Sequence, residues 1–254
     1  MNPALLEALA RLPRPLLVAL DVDGVLAPIV NDPWKARVAP ETQATLRTLL
    51  AHRDYRVALI TGRAADSLAL VIDLPEAFRA VEHGRRIAPP GEDFPPYAPS
   101  EAQQEALDRF WAWAQEKQPL GVLVERKPAA AAIHVRELAA KDEAAATALL
   151  AEAATLGRSL GLHLREGRAL CEVEIEVGEK RKALDEIFAR SEARSLIFIG
   201  DDLTDFPAIE RAVDLGGLGI FVRSTERPQG PEKASFILDD LDQVAHLLSS
   251  LRAP

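Results

Sequence analysis

The chain has 254 residues, of which 48% are hydrophobic, and a formal net charge of −9. That length suits one large domain or two modest ones with a substantial core, which excludes a disordered chain. The acidic balance excludes nucleic acid as a main partner, but an anionic small molecule remains compatible if a local cation reverses the field inside one cleft.

Met1 to Arg14 lacks a basic region followed by an apolar one, so no secretory leader is expected. No apolar run approaches the roughly 18 residues of a membrane span, so no membrane partner is expected. The single cysteine, Cys171, forbids an internal disulfide and reads as a buried packing residue; a reducing cytoplasm fits both points.

Leu16–Leu20 reads as a buried strand running into Asp21-Val22-Asp23-Gly24. Side chains alternate along an extended chain, so Asp21 and Asp23 are expected on one side. Open α/β sheets place their ligands at such carboxyl ends of strands. Like charges this close cost energy unless a cation or a proton separates their roles, although an Asp-x-Asp pair can equally serve a turn.

Glu41–Ala51 has helical spacing, with Leu46, Leu49 and Leu50 on one face. Val57–Ile60 is a second strand and ends at Thr61-Gly62-Arg63. A short helix over Ala64–Ile72 and a strand at Ala80-Val81 follow, leading into Glu82-His83-Gly84. The proline-rich stretch from Ala88 to Ser100 reads as a linker or domain edge.

Ser100 with Gln103 fits a capping box for a helix to about Lys117, with Trp111, Leu107 and Ala114 as its apolar face. Leu120–Glu125 and Ala130–Arg136 predict a hairpin across Arg126-Lys127-Pro128. An alanine-rich helix over Lys141–Leu156 and a second hairpin, Gly161–Arg165 with Ala169–Val177 around Glu166-Gly167, complete a helix-strand-strand repeat. Helix Arg181–Ala189, strand Ser195–Ile199, strands at 220–222 and 236–238 and a closing helix over Leu241–Leu251 restore the alternation. The predicted fold class is therefore α/β, a Rossmann-like parallel sheet with a smaller α+β unit inserted in it. Core segments at 1–99 and 177–254 enclose a middle unit at 100–176.

Three predicted strands end in polar clusters, at Asp21/Asp23, Thr61 and Asp201/Asp202. In a parallel sheet all three fall on one edge. Carboxylates, a hydroxyl and a lysine gathered there suit phosphoryl transfer: a carboxylate nucleophile divides one hard step into two, and a second carboxylate can move the proton. A divalent cation on oxygen ligands cancels the repulsion between a dianionic ester and its nucleophile.

Each residue also has a plainer reading. Thr61 could be a strand-end turn residue and Lys180 part of a solvated charge run with Arg181 and Lys182. Asp201, Asp202 or Asp205 could cap the next helix. Glu125 and Lys127 could form a hairpin ion pair, and His134, Glu172 and His83 could be structural. Trp34 falls in a loop with no assigned role.

Asp21-Val22-Asp23-Gly24-Val25, Thr61-Gly62-Arg63, Lys180 and Gly200-Asp201-Asp202-Leu203-Thr204-Asp205 resemble, in order, the four motifs of haloacid-dehalogenase-like phosphatases. The middle unit resembles their αββ-repeat cap. Asp23 through Val30 with Asp32-Pro33 and Ala36, the pairs Glu125/Lys127 and His134/Arg136, Glu172 eight residues before Lys180, Ala234-Ser235 and Leu238-Asp239-Asp240 resemble the trehalose-6-phosphate phosphatase branch.

That resemblance implies a nucleophile at Asp21 and a general acid/base at Asp23. It implies phosphate binding by Thr61, Gly62 and Lys180, and Mg²⁺ held by Asp21, Asp23 (through its carbonyl) and Asp201, with Asp202 and Asp205 in support. Glu125, Lys127, His134 and Glu172 would face a phosphosugar substrate. A functional link to a trehalose-phosphate synthase stays open.

Val25, Thr61, Arg181, Phe206-Pro207-Ala208-Ile209 and Glu174-Ile175-Glu176 depart from the family pattern. Another phosphosugar, such as sucrose phosphate or mannosylglycerate phosphate, therefore remains an alternative. A phosphomutase and a silent sugar-phosphate-binding module are the other readings.

Overall fold

The structure is a computed structural model describing residues 2–30, 32–97, 99–167 and 169–251. In chain order the strands are β1 (Leu16–Leu20), β2 (Tyr55–Ile60), β3 (Phe78–Val81), β4 (Arg86–Ala88), β5 (Leu123–Lys127), β6 (Ala130–His134), β7 (His163–Gly167), β8 (Leu170–Glu174), β9 (Ser195–Gly200), β10 (Leu218–Val222) and β11 (Phe236–Leu238). The helices are α1 (Pro3–Arg11), α2 (Pro40–Leu50), α3 (Ala65–Val71), α4 (Glu101–Glu116), α5 (Arg136–Ala139), α6 (Glu143–Ser159), α7 (Lys180–Arg190), α8 (Phe206–Asp214) and α9 (Leu241–Ser250). The chain divides into two units, Met1–Pro95 with Gly178–Pro254, and Pro96–Val177.

The first unit is built on a seven-stranded sheet of order β11-β10-β9-β1-β2-β3-β4, parallel except where β4 runs against β3. All five residues of β1 are buried, because helices cover both faces of a parallel sheet. Leu16, Val18 and Leu20 pack with Leu46 and Leu49 of α2 and Val244, Leu247 and Leu248 of α9. Leu17 and Ala19 pack on the other face with Leu184 and Ile187 of α7 and Ile209 of α8. β1 lies between β2 and β9, with Leu20 level with Leu59 and Ile199. The ends of these three strands therefore emerge side by side.

In the second unit an antiparallel sheet, β5-β6-β8-β7, carries α4 and α6 on one face. Val124, Ala131, Ile133, Cys171 and Val173 meet Leu107, Phe110, Ala114, Leu149 and Ala153 there. Cys171 is buried and packs within this core. The capping box at Ser100 and Gln103 is present.

Several local expectations shift. Phe110, not Trp111, is the aromatic residue fully buried in α4, and Trp111 packs at the margin of that core. The first hairpin turns at Pro128-Ala129, so Lys127 belongs to β5 and pairs with Ala130. β6 stops at His134, and Arg136 opens the short α5. β7 continues through Gly167 and pairs with Leu170. Arg168, in the second hairpin, and Ala98, in the proline-rich stretch, lie outside the described residues. Trp34 sits exposed in a single 3₁₀ turn. Helix α1 buries Leu5 and Leu9 one helical turn apart. Among the described residues, no helix is long and apolar enough to cross a membrane.

Candidate active site

Asp21 follows the last residue of β1, and its backbone N–H donates to the Ile199 carbonyl at 2.9 Å. Thr61 follows β2 and Asp201 follows β9, so three strand ends place them on one edge of the sheet. Lys180 is the first residue of α7. Its Nζ lies 2.8 Å from Asp21 Oδ2 and 2.7 Å from Asp205 Oδ1. All three side chains are almost wholly buried, which rules out the solvated charge run for Lys180.

Asp205 joins the parts. Its second oxygen accepts the backbone N–H groups of Asp201 at 3.2 Å and Asp202 at 3.1 Å. It is the N-cap residue of α8 by position, yet its side chain makes no cap bond to that helix. The helix-capping reading is thus replaced. Asp205 holds the loop that carries Asp201 and neutralises Lys180, while Asp202 turns its carboxylate to an ion pair with Arg227.

One ammonium does not balance the carboxylates. Oxygens of Asp21, Asp201 and Asp205 all lie within 4.8 Å of one another. Burial, and then the charge of Asp205, push Asp21 up to about 8 despite Lys180. Burial, Asp21 and Asp205 push Asp201 up to about 9. Burial alone would lower Lys180, but Asp205 and Asp21 outweigh it and hold its ammonium above the ordinary lysine value. A hard divalent cation fits such a surplus of buried oxygen ligands, since it supplies the missing positive charge.

The turn after β1 is tight, with the Gly24 N–H bonded to the Ala27 carbonyl at 2.8 Å. Gly24 has φ +75°, and a Cβ there would stand 2.0 Å from Asp201 Oδ2. Only glycine admits both the left-handed backbone and the approach of that carboxylate. Asp23 does not join the carboxylate cluster. Its side chain lies in the fork of Arg63, with Nε to Oδ2 at 2.7 Å and Nη2 to Oδ1 at 2.6 Å. The Asp23 charge still reaches Asp21, where it is the last of the influences raising that carboxyl.

Thr61 is buried, and its Oγ1 accepts the Arg63 N–H at 3.2 Å, so a turn role is present. Gly62 is packed on His83, whose Cε1 would be 2.5 Å from an added Cβ. His83 therefore supports the turn after β2. Glu82 and His83 both hold positive φ, 53° and 58°, ahead of Gly84 at 94°. Arg63 is absent from the expected site residues; its link to Asp23 spans 40 positions and has no local signature.

In the second unit, register puts Glu125, Lys127, His134, Glu172, Glu174 and Arg165 on the sheet face opposite α4 and α6. Lys127 Nζ donates to Glu172 Oε1 at 2.7 Å across the sheet. His134 Nε2 lies 3.4 Å from Glu125 Oε2, and Arg165 Nη2 lies 3.1 Å from Glu174. Burial alone would lower Lys127, but Glu172, Glu125 and Glu174 together raise it.

A parallel sheet with acidic groups at adjacent strand ends and a buried lysine at the start of α7 places the chain in the haloacid-dehalogenase fold class. The trehalose-phosphatase family model matches residues 19–242. A protein described as an uncharacterized glycosyl hydrolase of Mycobacterium tuberculosis is 32% identical over 244 residues, 92% of this chain and 18% of that protein. The trehalose-phosphate phosphatase of Mycobacterium leprae is 30% identical over 250 residues, 92% of this chain and 57% of that protein. The chain thus spans less than two thirds of both relatives. The C-terminal domain of a Candida albicans trehalose-6-phosphate phosphatase shares the fold, with a TM-score of 0.77 at 22% identity over 99% of this chain and 97% of that one. The chain belongs to the trehalose-phosphatase family, a family of phosphate-ester hydrolases.

Proposed function

We propose that the protein hydrolyses trehalose 6-phosphate to trehalose and phosphate, with Asp21 as nucleophile and Mg²⁺ as cofactor. The observation that carries this is the burial of Asp21 between Lys180 and the Asp201/Asp205 pair at a strand end. Trehalose phosphate is the substrate named for the family and for the Mycobacterium leprae relative.

Asp21 attacks phosphorus, and the ester P–O bond breaks as an aspartyl phosphate forms. Asp23 delivers a proton to the departing sugar oxygen and then takes one from the water that cleaves the aspartyl phosphate. Lys180 and the Thr61-Gly62 turn hold phosphoryl oxygens, and the Lys180 charge gains weight from its burial. Mg²⁺ held by Asp21, the Asp23 carbonyl and Asp201 would neutralise charge on the phosphoryl group. Glu125, Lys127, His134 and Glu172 supply polar groups for sugar hydroxyls; a site built on such bonds discriminates strongly, because a wrong substrate leaves buried groups unpaired. The unit at 100–176 acts as the substrate-specificity cap of a core at 1–99 and 177–254.

Phosphate release from a panel of sugar phosphates, with Mg²⁺ and with chelator, tests the proposal. Metal-dependent turnover highest on trehalose 6-phosphate is expected. A higher kcat/KM on sucrose phosphate or mannosylglycerate phosphate would replace the substrate, and phosphoryl transfer to a sugar without phosphate release would replace the reaction.

A further inference from the structure

Arg63 binds Asp23 in a way that simple charge balance does not require. Both Asp23 oxygens are held, at 2.6 and 2.7 Å, by two nitrogens of one planar guanidinium. The remaining nitrogen, Nη1, donates to Ser67 Oγ at 2.8 Å and to the Pro33 carbonyl at 3.0 Å. The Arg63 N–H donates to Thr61 Oγ1, and its carbonyl accepts the Glu82 N–H at 2.8 Å. The Arg63 side chain is 8% exposed and that of Asp23 is 36% exposed. A buried cation therefore grips a carboxylate that still reaches solvent. A bidentate pair fixes the carboxylate plane as well as its place, which a lysine could not do.

We infer that Arg63 is a positioning residue for proton transfer by Asp23, acting through its two-pronged bond. The inference rests on the proposed function, in which Asp23 is the acid/base. In the first step the Asp21 oxygen–phosphorus bond forms and the phosphorus–sugar oxygen bond breaks. The Asp23 O–H bond breaks with it, and its proton goes to the sugar oxygen. Asp23 is then a carboxylate, the form that the guanidinium fork binds best. The fork thus stabilises charge that develops on Asp23 as the leaving group departs. In the second step water forms the new bond to phosphorus, the Asp21–phosphorus bond breaks, and the water proton returns to Asp23.

A contribution of this kind depends on the leaving group. A sugar alkoxide needs the proton, whereas p-nitrophenolate does not. The values of kcat/KM for trehalose 6-phosphate and p-nitrophenyl phosphate report the first step for each ester. Arg63→Gln and Arg63→Lys are expected to lose on the order of 10²-fold on the sugar ester while barely changing on the aryl ester. Arg63→Lys keeps the charge without the fork, so rescue by lysine would overturn the geometric claim. Ser67→Ala leaves Arg63 in place but removes one prop, and the same selectivity at smaller size is expected. Equal losses on both esters, or none on either, would overturn the role of Arg63. Asp23→Asn separates this from failure of the underlying reading. A selective loss in Asp23→Asn without one in the Arg63 variants refutes only Arg63, whereas an unselective Asp23→Asn removes Asp23 as the acid and the inference with it.

Discussion

Replacing Lys180 by methionine removes the one ammonium, among the described residues, within ion-pair distance of both Asp21 and Asp205, at 2.8 and 2.7 Å. The methionine fills most of the space, so the loss is chiefly of charge. Breaking a buried ion pair by deleting one partner costs about 3–5 kcal/mol, because the surviving charge stays buried. Both surviving carboxylates are buried here. The cost is limited by their ability to take up protons, so it depends on pH. A carboxylate whose folded pKa lies above its unfolded value loses stability as pH rises from the unfolded value through the folded one. Without Lys180 that gap widens for Asp21, which already stands at about 8. Urea unfolding in chelator should therefore show Lys180→Met losing more stability at pH 8 than at pH 5. Adding Asp205→Asn to Lys180→Met should recover part of the loss, with a coupling of roughly 0.5–3 kcal/mol. Destabilisation under about 1 kcal/mol, the size of an exposed pair, with no coupling to Asp205, would refute the view that Lys180 is the counter-charge of the site.

Asp21→Asn should abolish turnover while leaving the far-ultraviolet circular dichroism and Tm at least at their original values, because it removes one of the crowded carboxylates; retained turnover would exclude Asp21 as nucleophile. Mg²⁺ at about a hundred times its dissociation constant should raise stability by roughly 2.7 kcal/mol, and Asp201→Asn should largely remove that rise, as read by thermal melts with and without chelator. Gly24→Ala should cost more than about 1 kcal/mol and weaken Mg²⁺ binding, since its Cβ would displace the Asp201 carboxylate; unchanged calorimetric affinity would count against that close approach. In the second unit, the Lys127 ammonium is held above its ordinary value of 10.5. Its contribution should be complete below about pH 10 and be lost as pH rises through the higher folded value, a decline that Lys127→Met should abolish in unfolding curves taken across that range.

Local pattern determined much of this protein. The apolar run of β1, buried on both faces, the capping box of α4 and the helical spacing of α2 and α9 are each settled within a few residues of chain. The polar residues that end β1, β2 and β9 were legible for the same reason, since a parallel sheet brings such ends to one edge. Tertiary structure decided which partners those residues take. Lys180 reads as part of a charge run until α7 packs against the sheet and buries it between Asp21 and Asp205. Asp205 reads as a helix cap until its carboxylate closes on the amides of Asp201 and Asp202. Lys127 reads as a partner for Glu125 alone, and only β8 brings Glu172, 45 positions away, to 2.7 Å. The Arg63 fork on Asp23 joins two different strand ends. Backbone periodicity is a property of neighbours along the chain, whereas a charge finds its partner across the space left by packed strands and helices, and only the completed sheet fixes that space.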